Sequence, residues 1–132
     1  MQRNASIWLI DDDTQLIEII TRAFRLERLT CQLVSFTNDA DLRAAIDQSD
    51  LLPNLLVVDY YLPDTDGLQI IQWLQKHPSA QALKMILFSQ DLRADIVAKA
   101  QELNVYQVTT KPKSFQDWRN FADELCLAGY FS

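Results

Sequence analysis

Short apolar runs alternate along the chain with segments whose apolar residues recur at helical spacing. The runs, rich in β-branched residues and short enough for strands, cover residues 5–10, 32–36, 55–59, 85–88 and 105–109. The first helical pattern covers residues 14–29. The second follows Asn38, the third follows Gly67, the fourth begins at Asp91, and the fifth follows a cap at Ser114. Strands that alternate with helices pair in parallel through right-handed crossovers. The pattern therefore predicts an α/β fold, a doubly wound parallel sheet with helices on both faces.

Carboxylates follow two of the predicted strands. Asp11, Asp12 and Asp13 come directly after the first apolar run, and Asp59 ends the third. The carboxyl ends of parallel strands meet at the edge of the sheet where α/β proteins bind ligands. Carboxylates crowded there raise one another's pKa unless a cation neutralises them, and oxygen-only ligands suit Mg²⁺. The sequence predicts a carboxylate-lined, Mg²⁺-dependent pocket.

Two further strand ends carry polar residues of types suited to chemistry. Ser89 ends the fourth strand, and Lys111 follows the fifth. Each has an ordinary structural explanation when taken alone, because Ser89 could cap the next helix and Lys111 could be a solvated cation. Asp13, in the same way, is explained best as a helix cap. The functional interpretation gains weight because all these strand ends converge on one crevice.

Composition limits the classes of protein to consider. The chain has 132 residues, of which 48% are hydrophobic, which fits one domain over residues 1–132. The net charge of −6 argues against a nucleic-acid-binding surface. No apolar stretch approaches the roughly 20 residues of a membrane span, and the amino terminus has no signal-peptide pattern. Cys31 and Cys126 form no motif and are expected to be small, reduced core residues. These features together predict a cytoplasmic protein that does not bind membranes.

The chain resembles the response-regulator receiver domain of two-component signalling over nearly its whole length. Four stretches in order carry the resemblance, residues 8–13, 57–67, 86–89 and 109–112, and the segment from Asp59 through Pro63 to Asp66 and Gly67 is the most specific. The resemblance implies a flavodoxin-like, five-stranded sheet of order 2-1-3-4-5. It also implies that Asp59 accepts a phosphoryl group from a histidine of a sensor histidine kinase or a histidine phosphotransfer protein.

The resemblance assigns a metal site to the acidic residues. Asp12 and Asp59 would ligate Mg²⁺ directly, together with the backbone carbonyl of Tyr61, while Asp11 would hold a coordinated water. Mg²⁺ retains several waters and uses few protein carboxylates, which suits this arrangement. Asp59 would also be the nucleophile that forms an acyl phosphate.

The resemblance also assigns residues to the transferred phosphoryl group. Lys111 would neutralise one phosphoryl oxygen, and the Ser89 hydroxyl would hydrogen-bond the group only after transfer. The bond between Lys111 and Pro112 matches a family position at which the peptide is cis.

Two residues depart from the family pattern. Gln90 stands where the family usually has a small residue, and its long side chain could screen the phosphoryl group from water or hinder small donors. Val108 stands where the family commonly has an aromatic residue that turns inward on activation. The set of residues expected to take part in phosphorylation is complete, but the aromatic residue that usually transmits the change is replaced by Val108.

The first predicted helix offers a docking hypothesis that the sequence leaves open. Ile19 and Leu26 lie to one side of the apolar stripe centred on Ile20. They either pack against a neighbouring helix or form an exposed patch beside the phosphorylation site. In receiver domains this helix meets the histidine-bearing partner.

The leading functional prediction is a stand-alone receiver, a switch that catalyses only its own phosphorylation and dephosphorylation. Because no residues remain for an output domain, the output is expected to be an unknown partner protein or a phosphoryl handoff. A receiver-like adaptor that is never phosphorylated is the first alternative. A phosphohydrolase of the haloacid-dehalogenase type is the second, although Gln15 stands where its motif requires Thr or Val.

Overall fold

The computed structural model describes residues 5–27 and 31–130. Five parallel strands form one sheet in the order β2-β1-β3-β4-β5, as the sequence and the resemblance predicted. The strands are β1 (Ser6–Ile10), β2 (Gln32–Phe36), β3 (Leu55–Asp59), β4 (Lys84–Ser89) and β5 (Gln107–Thr110). The helices are α1 (Thr14–Leu26), α2 (Asp39–Gln48), α3 (Gly67–Gln75), α4 (Ala94–Glu102) and α5 (Phe115–Tyr130), with a 3₁₀ turn at Pro78–Ala80.

Two hydrophobic cores lie on opposite faces of the sheet. Side chains alternate along a strand, so Ile7 and Leu9 of β1 enter the core beneath α1 and α5. Trp8 and Ile10 of the same strand enter the core beneath α2, α3 and α4. The central strand β3 is buried along its entire length, whereas every residue of the edge strand β2 is at least partly exposed. Because both faces of the sheet are covered by helices, the functional groups gather at the strand ends.

The segment boundaries differ from the sequence-based prediction by one residue at the ends of β1 and β4, and more widely in three places. Helix α1 ends at Leu26, with Glu27 as its cap, whereas the pattern had extended it to residue 29, which lies outside the described residues. Helix α4 begins at Ala94 and not at Asp91, because the Asp91 N–H donates to the Ser89 hydroxyl and the chain turns there before the helix starts. The fifth strand covers Gln107–Thr110 rather than residues 105–109.

The cysteines are paired, which corrects the prediction of two reduced thiols. Cys31 and Cys126 are buried in the core beneath α1 and α5, as expected, but they form a disulfide. They are 95 positions apart in the sequence. Only the fold brings the amino end of β2 next to α5, so no spacing motif could reveal the pair. In the described part of the chain, no helix has the length and apolar character needed to cross a membrane.

Candidate functional site

Three carboxylates meet at the carboxyl edge of the sheet. Asp11 follows β1 and is held there by a hydrogen bond from its N–H to the carbonyl of Phe36, while Asp59 ends β3. Asp11, Asp12 and Asp59 each present an oxygen within 4.8 Å of the other two. Asp11 is fully buried and Asp59 nearly so, whereas Asp12 is exposed. The cluster therefore has two buried acids and one that faces solvent.

Lys111 enters the same cluster from the end of β5. Its N–H donates to the carbonyl of Ser89, which fixes the chain beside β4. Its Nζ lies 2.8 Å from Asp11 Oδ2 and 3.3 Å from Asp59 Oδ1. Burial alone would lower the pKa of Lys111, but its contacts with the two carboxylates outweigh burial and raise that pKa. Lys111 is therefore a fixed positive charge between two buried acids.

The side chain of Asp59 is the least satisfied group in this pocket. Burial first, and then the negative charge of Asp11, raise the pKa of Asp59 to about 7, although Lys111 opposes both. Within residues 5–27 and 31–130, Asp59 Oδ1 is the one buried side-chain oxygen or nitrogen without a hydrogen bond, although it forms an ion pair with Lys111 Nζ at 3.3 Å. A divalent cation at this point would satisfy that oxygen and offset the repulsion between acids. The donor set, three carboxylates, fits Mg²⁺.

The two oxygens of Asp11 are already engaged. Oδ1 accepts the backbone N–H of Asp13 at 2.9 Å, and Oδ2 accepts the ammonium of Lys111 at 2.8 Å. Asp13 itself caps α1, because its Oδ1 accepts the N–H groups of Gln15 and Leu16. The cap interpretation of Asp13 is confirmed. The contact between Asp11 and Lys111 was not anticipated, because sequence analysis assigned Lys111 only to a phosphoryl oxygen.

The loop after β3 is held close to Asp59 by its sequence. Asp66 caps α3 by accepting the N–H of Gln69 at 3.0 Å, and Gly67 donates its N–H to the carbonyl of Tyr60 at 2.9 Å. Tyr61 pairs with Asp66 in a single antiparallel bridge. This tight loop places Tyr61, which is 48% exposed, at the mouth of the acidic pocket.

The loop after β4 forms the opposite wall of the pocket. Ser89 is fully buried, and its hydroxyl oxygen accepts the N–H of Asp91 at 3.3 Å. Gln90 and Asp91 are exposed and line, with the acids, Tyr61 and Lys111, a cleft of about 420 Å³. None of the described peptide bonds is cis, so the Lys111–Pro112 bond is trans, contrary to the expectation from the resemblance.

A second cleft adjoins the acidic one. It also measures about 420 Å³, and Gln90 and Lys111 line both clefts. Ile19 lines its wall and is 39% exposed, while Trp118 of α5 forms its buried side. Ile19 is therefore a partly exposed apolar side chain on the wall of the cleft that adjoins the acids, and the neighbouring helix α5 does not cover it completely.

The strand order and the position of the acids define the class of protein. This is a doubly wound α/β domain with a carboxylate-lined, cation-compatible crevice at the carboxyl ends of its strands. The family model for the response regulator receiver domain matches residues 7–122, and the chain belongs to that family. Receiver domains are generally non-enzymatic signalling switches that bind Mg²⁺ at an acidic pocket and are phosphorylated by histidine kinases.

Individual relatives have low sequence identity to this chain. The DNA-binding transcriptional regulator NtrC of Escherichia coli is 28% identical over 113 residues, which cover 85% of this chain but only 22% of that protein. The probable methanogenesis regulatory protein FilR2 of Methanothrix harundinacea is 24% identical, with 90% of this chain and 79% of that protein covered. This chain thus spans about a fifth of the length of the NtrC proteins that it matches.

Solved structures show the same fold. The phosphorylated cyanobacterial phytochrome response regulator RcpA superposes with a TM-score of 0.83 at 19% identity, covering 95% of both chains. The Mn²⁺-bound form of response regulator Rcp1 superposes with a TM-score of 0.79 at 18% identity, covering 92% of this chain and 91% of that one.

Proposed function

We propose that this chain is a phosphorylatable receiver switch in which Asp59 accepts a phosphoryl group from a phosphohistidine partner. One observation carries the proposal. Asp59 is a nearly buried carboxylate at the end of the central strand, within 4.8 Å of the oxygens of Asp11 and Asp12, and its Oδ1 lacks a hydrogen bond. Such a group is oriented by its surroundings but keeps a lone pair available for reaction.

The transfer itself requires little from the protein beyond positioning. A carboxylate oxygen of Asp59 attacks the phosphorus atom, the P–N bond to the donor imidazole breaks, and its electron pair returns to the imidazole nitrogen. Lys111, 3.3 Å from Asp59 Oδ1, stands where it can neutralise charge on the transferred group. To do so, it would exchange part of its contact with Asp11 for one with a phosphoryl oxygen.

The acidic residues fit the metal assignment made from the resemblance. Asp12 and Asp59, with the Tyr61 carbonyl, would hold Mg²⁺ directly, and Mg²⁺ would supply charge neutralisation for the phosphoryl oxygens. Both oxygens of Asp11 already accept hydrogen bonds, which supports a role through a coordinated water rather than direct ligation.

Ser89 is the residue through which transfer would alter the loop after β4. Its hydroxyl now accepts the N–H of Asp91, and a hydrogen bond to a phosphoryl oxygen would require the hydroxyl to act as a donor toward the pocket. Movement of Ser89 would therefore change the segment from Gln90 to Ala94, directly before α4. Gln90, at the mouth of the cleft, would slow the approach of water and small donors.

The remaining assignments follow from this role. The whole chain would act as one receiver domain in the cytoplasm, with a sensor histidine kinase or histidine phosphotransfer protein as its donor. Its signal would pass to a partner protein or onward as a phosphoryl group. The family match favours this role over the phosphohydrolase alternative.

Intact-mass analysis after incubation with acetyl phosphate and Mg²⁺ tests the proposal. We expect one labile phosphoryl adduct, which is absent in Asp59→Asn and in the presence of a chelator, and greatly reduced in Asp12→Ala. Asp64→Asn is the matched control, because Asp64 is an exposed carboxylate in the same loop. A folded protein that takes no adduct from either acetyl phosphate or a phosphohistidine donor would support the adaptor alternative instead.

A further inference from the structure

The disulfide between Cys31 and Cys126 lies on the opposite side of the molecule from the acids. Cys31 directly precedes β2, and Cys126 lies in the C-terminal half of α5. Gln32, the next residue, pairs with Ser6 at the amino end of β1, whereas Asp11 follows its carboxyl end. The strand between them spans about 13 Å at the usual rise of 3.3 Å per residue. Chemistry at the two sulfurs is therefore separated from chemistry at Asp59.

The disulfide joins helix α5 to the residue that directly precedes the partly exposed edge strand β2. The amino-terminal half of α5 is tied to α1 by an ion pair between Arg119 and Glu27 and by Arg22 lying over Phe115. In its C-terminal half, the covalent tie is the one from Cys126 to Cys31. Helix ends open more readily than helix centres, so a crosslink in this half of α5 restrains local opening there.

The same core accommodates both the bonded and the reduced pair. The Cα atoms are 5.8 Å apart, within the range that a disulfide spans without backbone movement. The cysteines are 7% and 5% exposed, among apolar neighbours that suit small reduced thiols equally well. They are also the two cysteines of residues 1–132, so within this domain each has the other as its partner.

We propose that Cys31 and Cys126 are a second covalent modification site of this receiver, at which a low-molecular-weight disulfide reversibly crosslinks α5 to the amino end of β2. One cysteine thiolate attacks the external disulfide and releases one thiol. The second cysteine thiolate attacks the resulting mixed disulfide and releases the other thiol. The two protons lost by the cysteines end on the two released thiols, and the two electrons reduce the external disulfide.

The crosslink restrains the C-terminal half of α5 and leaves the acidic pocket unchanged. Closing a loop of 95 residues removes conformational freedom from the unfolded chain, and we expect it to raise the melting temperature by about 10 °C. Because both sulfurs are nearly buried, exchange with external thiols waits for partial opening of α5. Oxidation and reduction are therefore slow relative to the same reactions in an unfolded peptide.

The test compares wild-type protein equilibrated with reduced or oxidised glutathione. Oxidation should block alkylation of both cysteines, raise the melting temperature by about 10 °C, and slow hydrogen exchange in α5 and β2 but not in α3. Fresh reductant under native conditions should reverse all three changes. Cys126→Ser and Cys126→Ala should each abolish the difference between the two states, whereas Asp59→Asn should retain it.

Three results would overturn this proposal. The cysteines could remain open to alkylation at an oxidant concentration that closes a model dithiol. The bond could form without changing the melting temperature or the exchange of α5. The bond could also resist native reduction, which would make it a permanent structural link. The comparison of the two wild-type states decides among these outcomes even if neither Cys126 variant folds.

Discussion

At the scale of single residues, Asp59 combines burial, one like charge and one opposite charge. Its pKa is raised from 3.8 to about 7, so the folded, metal-free protein binds a proton there that the unfolded chain releases at lower pH. Between these two values the native state holds more protons than the unfolded state, and stability must fall as pH rises. Above about pH 7 Asp59 is charged in both the native and the unfolded state, and the native state bears the full free-energy cost of burying that charge.

This linkage predicts a pH-dependent effect of Asp59→Asn on stability. Without metal, the variant should melt roughly 5 °C above wild type at about pH 8, because a neutral amide avoids burying a charge beside Asp11. At about pH 4, where Asp59 is protonated, the difference should largely vanish. Thermal unfolding in a chelating buffer measures both values. Asp64→Asn should show neither effect, and a variant that melts below wild type at the higher pH would contradict the account.

The residues of the pocket were predictable, but several of their contacts were not. A carboxylate after a buried strand is visible in sequence, so Asp11, Asp12 and Asp59 could be identified as a cluster. The contact between Lys111 and Asp11 joins residues 100 positions apart and depends on side-chain reach at a sheet edge. The trans bond before Pro112 was missed for a related reason, since X–Pro isomers differ by only about 0.5–1 kcal/mol and local context decides between them.

At the scale of elements, the junction of β3 with α3 depends on a missing side chain. A Cβ at Gly67 would lie 2.6 Å from the carbonyl oxygen of Asp59 and 2.8 Å from a methyl group of Leu87. No described glycine has a positive φ, so space rather than backbone conformation requires glycine here. The first residue of α3 therefore sits directly against the backbone of the proposed phosphorylation site.

Gly67→Ala should destabilise the fold by about 1–3 kcal/mol, because the backbone at Asp59 has to move to admit a methyl group. Urea denaturation measures the loss. Gly129→Ala is the matched control, since a Cβ there would meet side chains and no backbone atom, namely Ala5 at 3.1 Å, Ile7 at 3.8 Å and Asn54 at 3.9 Å. Its effect should be smaller, because side chains at these distances yield more easily than the backbone at Asp59, and equal losses in the two variants would contradict this explanation of Gly67.

Helix α1 carries the proposed contact with the donor protein. Ile19→Ala should weaken phosphotransfer from a phosphohistidine protein about tenfold, because a partly exposed side chain beside the cleft is lost from an interface. Labelling by acetyl phosphate and the melting temperature should change little. Leu26→Ala, 51% exposed on the same helix but absent from the cleft lining, is the control. Equal losses with both donors would place Ile19 in the chemistry or the fold instead.

Element boundaries were predicted less well than element types. Periodicity placed all five helices, but it started α4 at Asp91 because an Asp before apolar residues looks like a helix cap. The structure uses Arg93 as that cap, with no side-chain hydrogen bond, because Ser89 has already engaged the N–H of Asp91. The hydrogen bond between the Asp91 N–H and Ser89 thus accompanies a helix start three residues later than predicted.

At the scale of the whole molecule, residues 106 and 108 bear on how phosphorylation of Asp59 would change the surface. Val108 is half-buried against the core beneath α2, α3 and α4, and its β-branched side chain is stiff and small. Tyr106, 51% exposed, lies just before β5, donates its N–H to Met85 and has Lys84 Nζ 4.5 Å from its ring centroid. Neither side chain is arranged to swing inward toward Ser89.

Phosphorylation should therefore change the loop after β4 more than the surface of α4 and α5. Hydrogen exchange with and without beryllofluoride and Mg²⁺ should show slower exchange at residues 89–93, and little change across residues 106–110. Tyr106→Ala should leave this response intact. A large change at Tyr106 that depends on Ser89 would show that the tyrosine has taken the role of the usual aromatic residue.

The global arrangement followed from the sequence because strands, helices and polar strand ends all agreed. The disulfide did not, since nothing local distinguishes a buried thiol from a bonded one, and the pairing partner is set by how α5 lies on β2. Such a long-range contact is fixed only by the chain topology. The strand order was predicted from the family resemblance and not from the apolar pattern.

Whether Asp59 is the phosphoryl acceptor is tested most directly by the chemical identity of residue 59 after phosphorylation. Borohydride reduces an aspartyl acyl phosphate to homoserine, so the labelled protein can be reduced, digested and sequenced by mass spectrometry. We expect homoserine at position 59 alone, dependent on Mg²⁺ and on the phosphoryl donor. Homoserine at another acid, or a stable adduct on a hydroxyl or histidine with Asp59 unmodified, would contradict it.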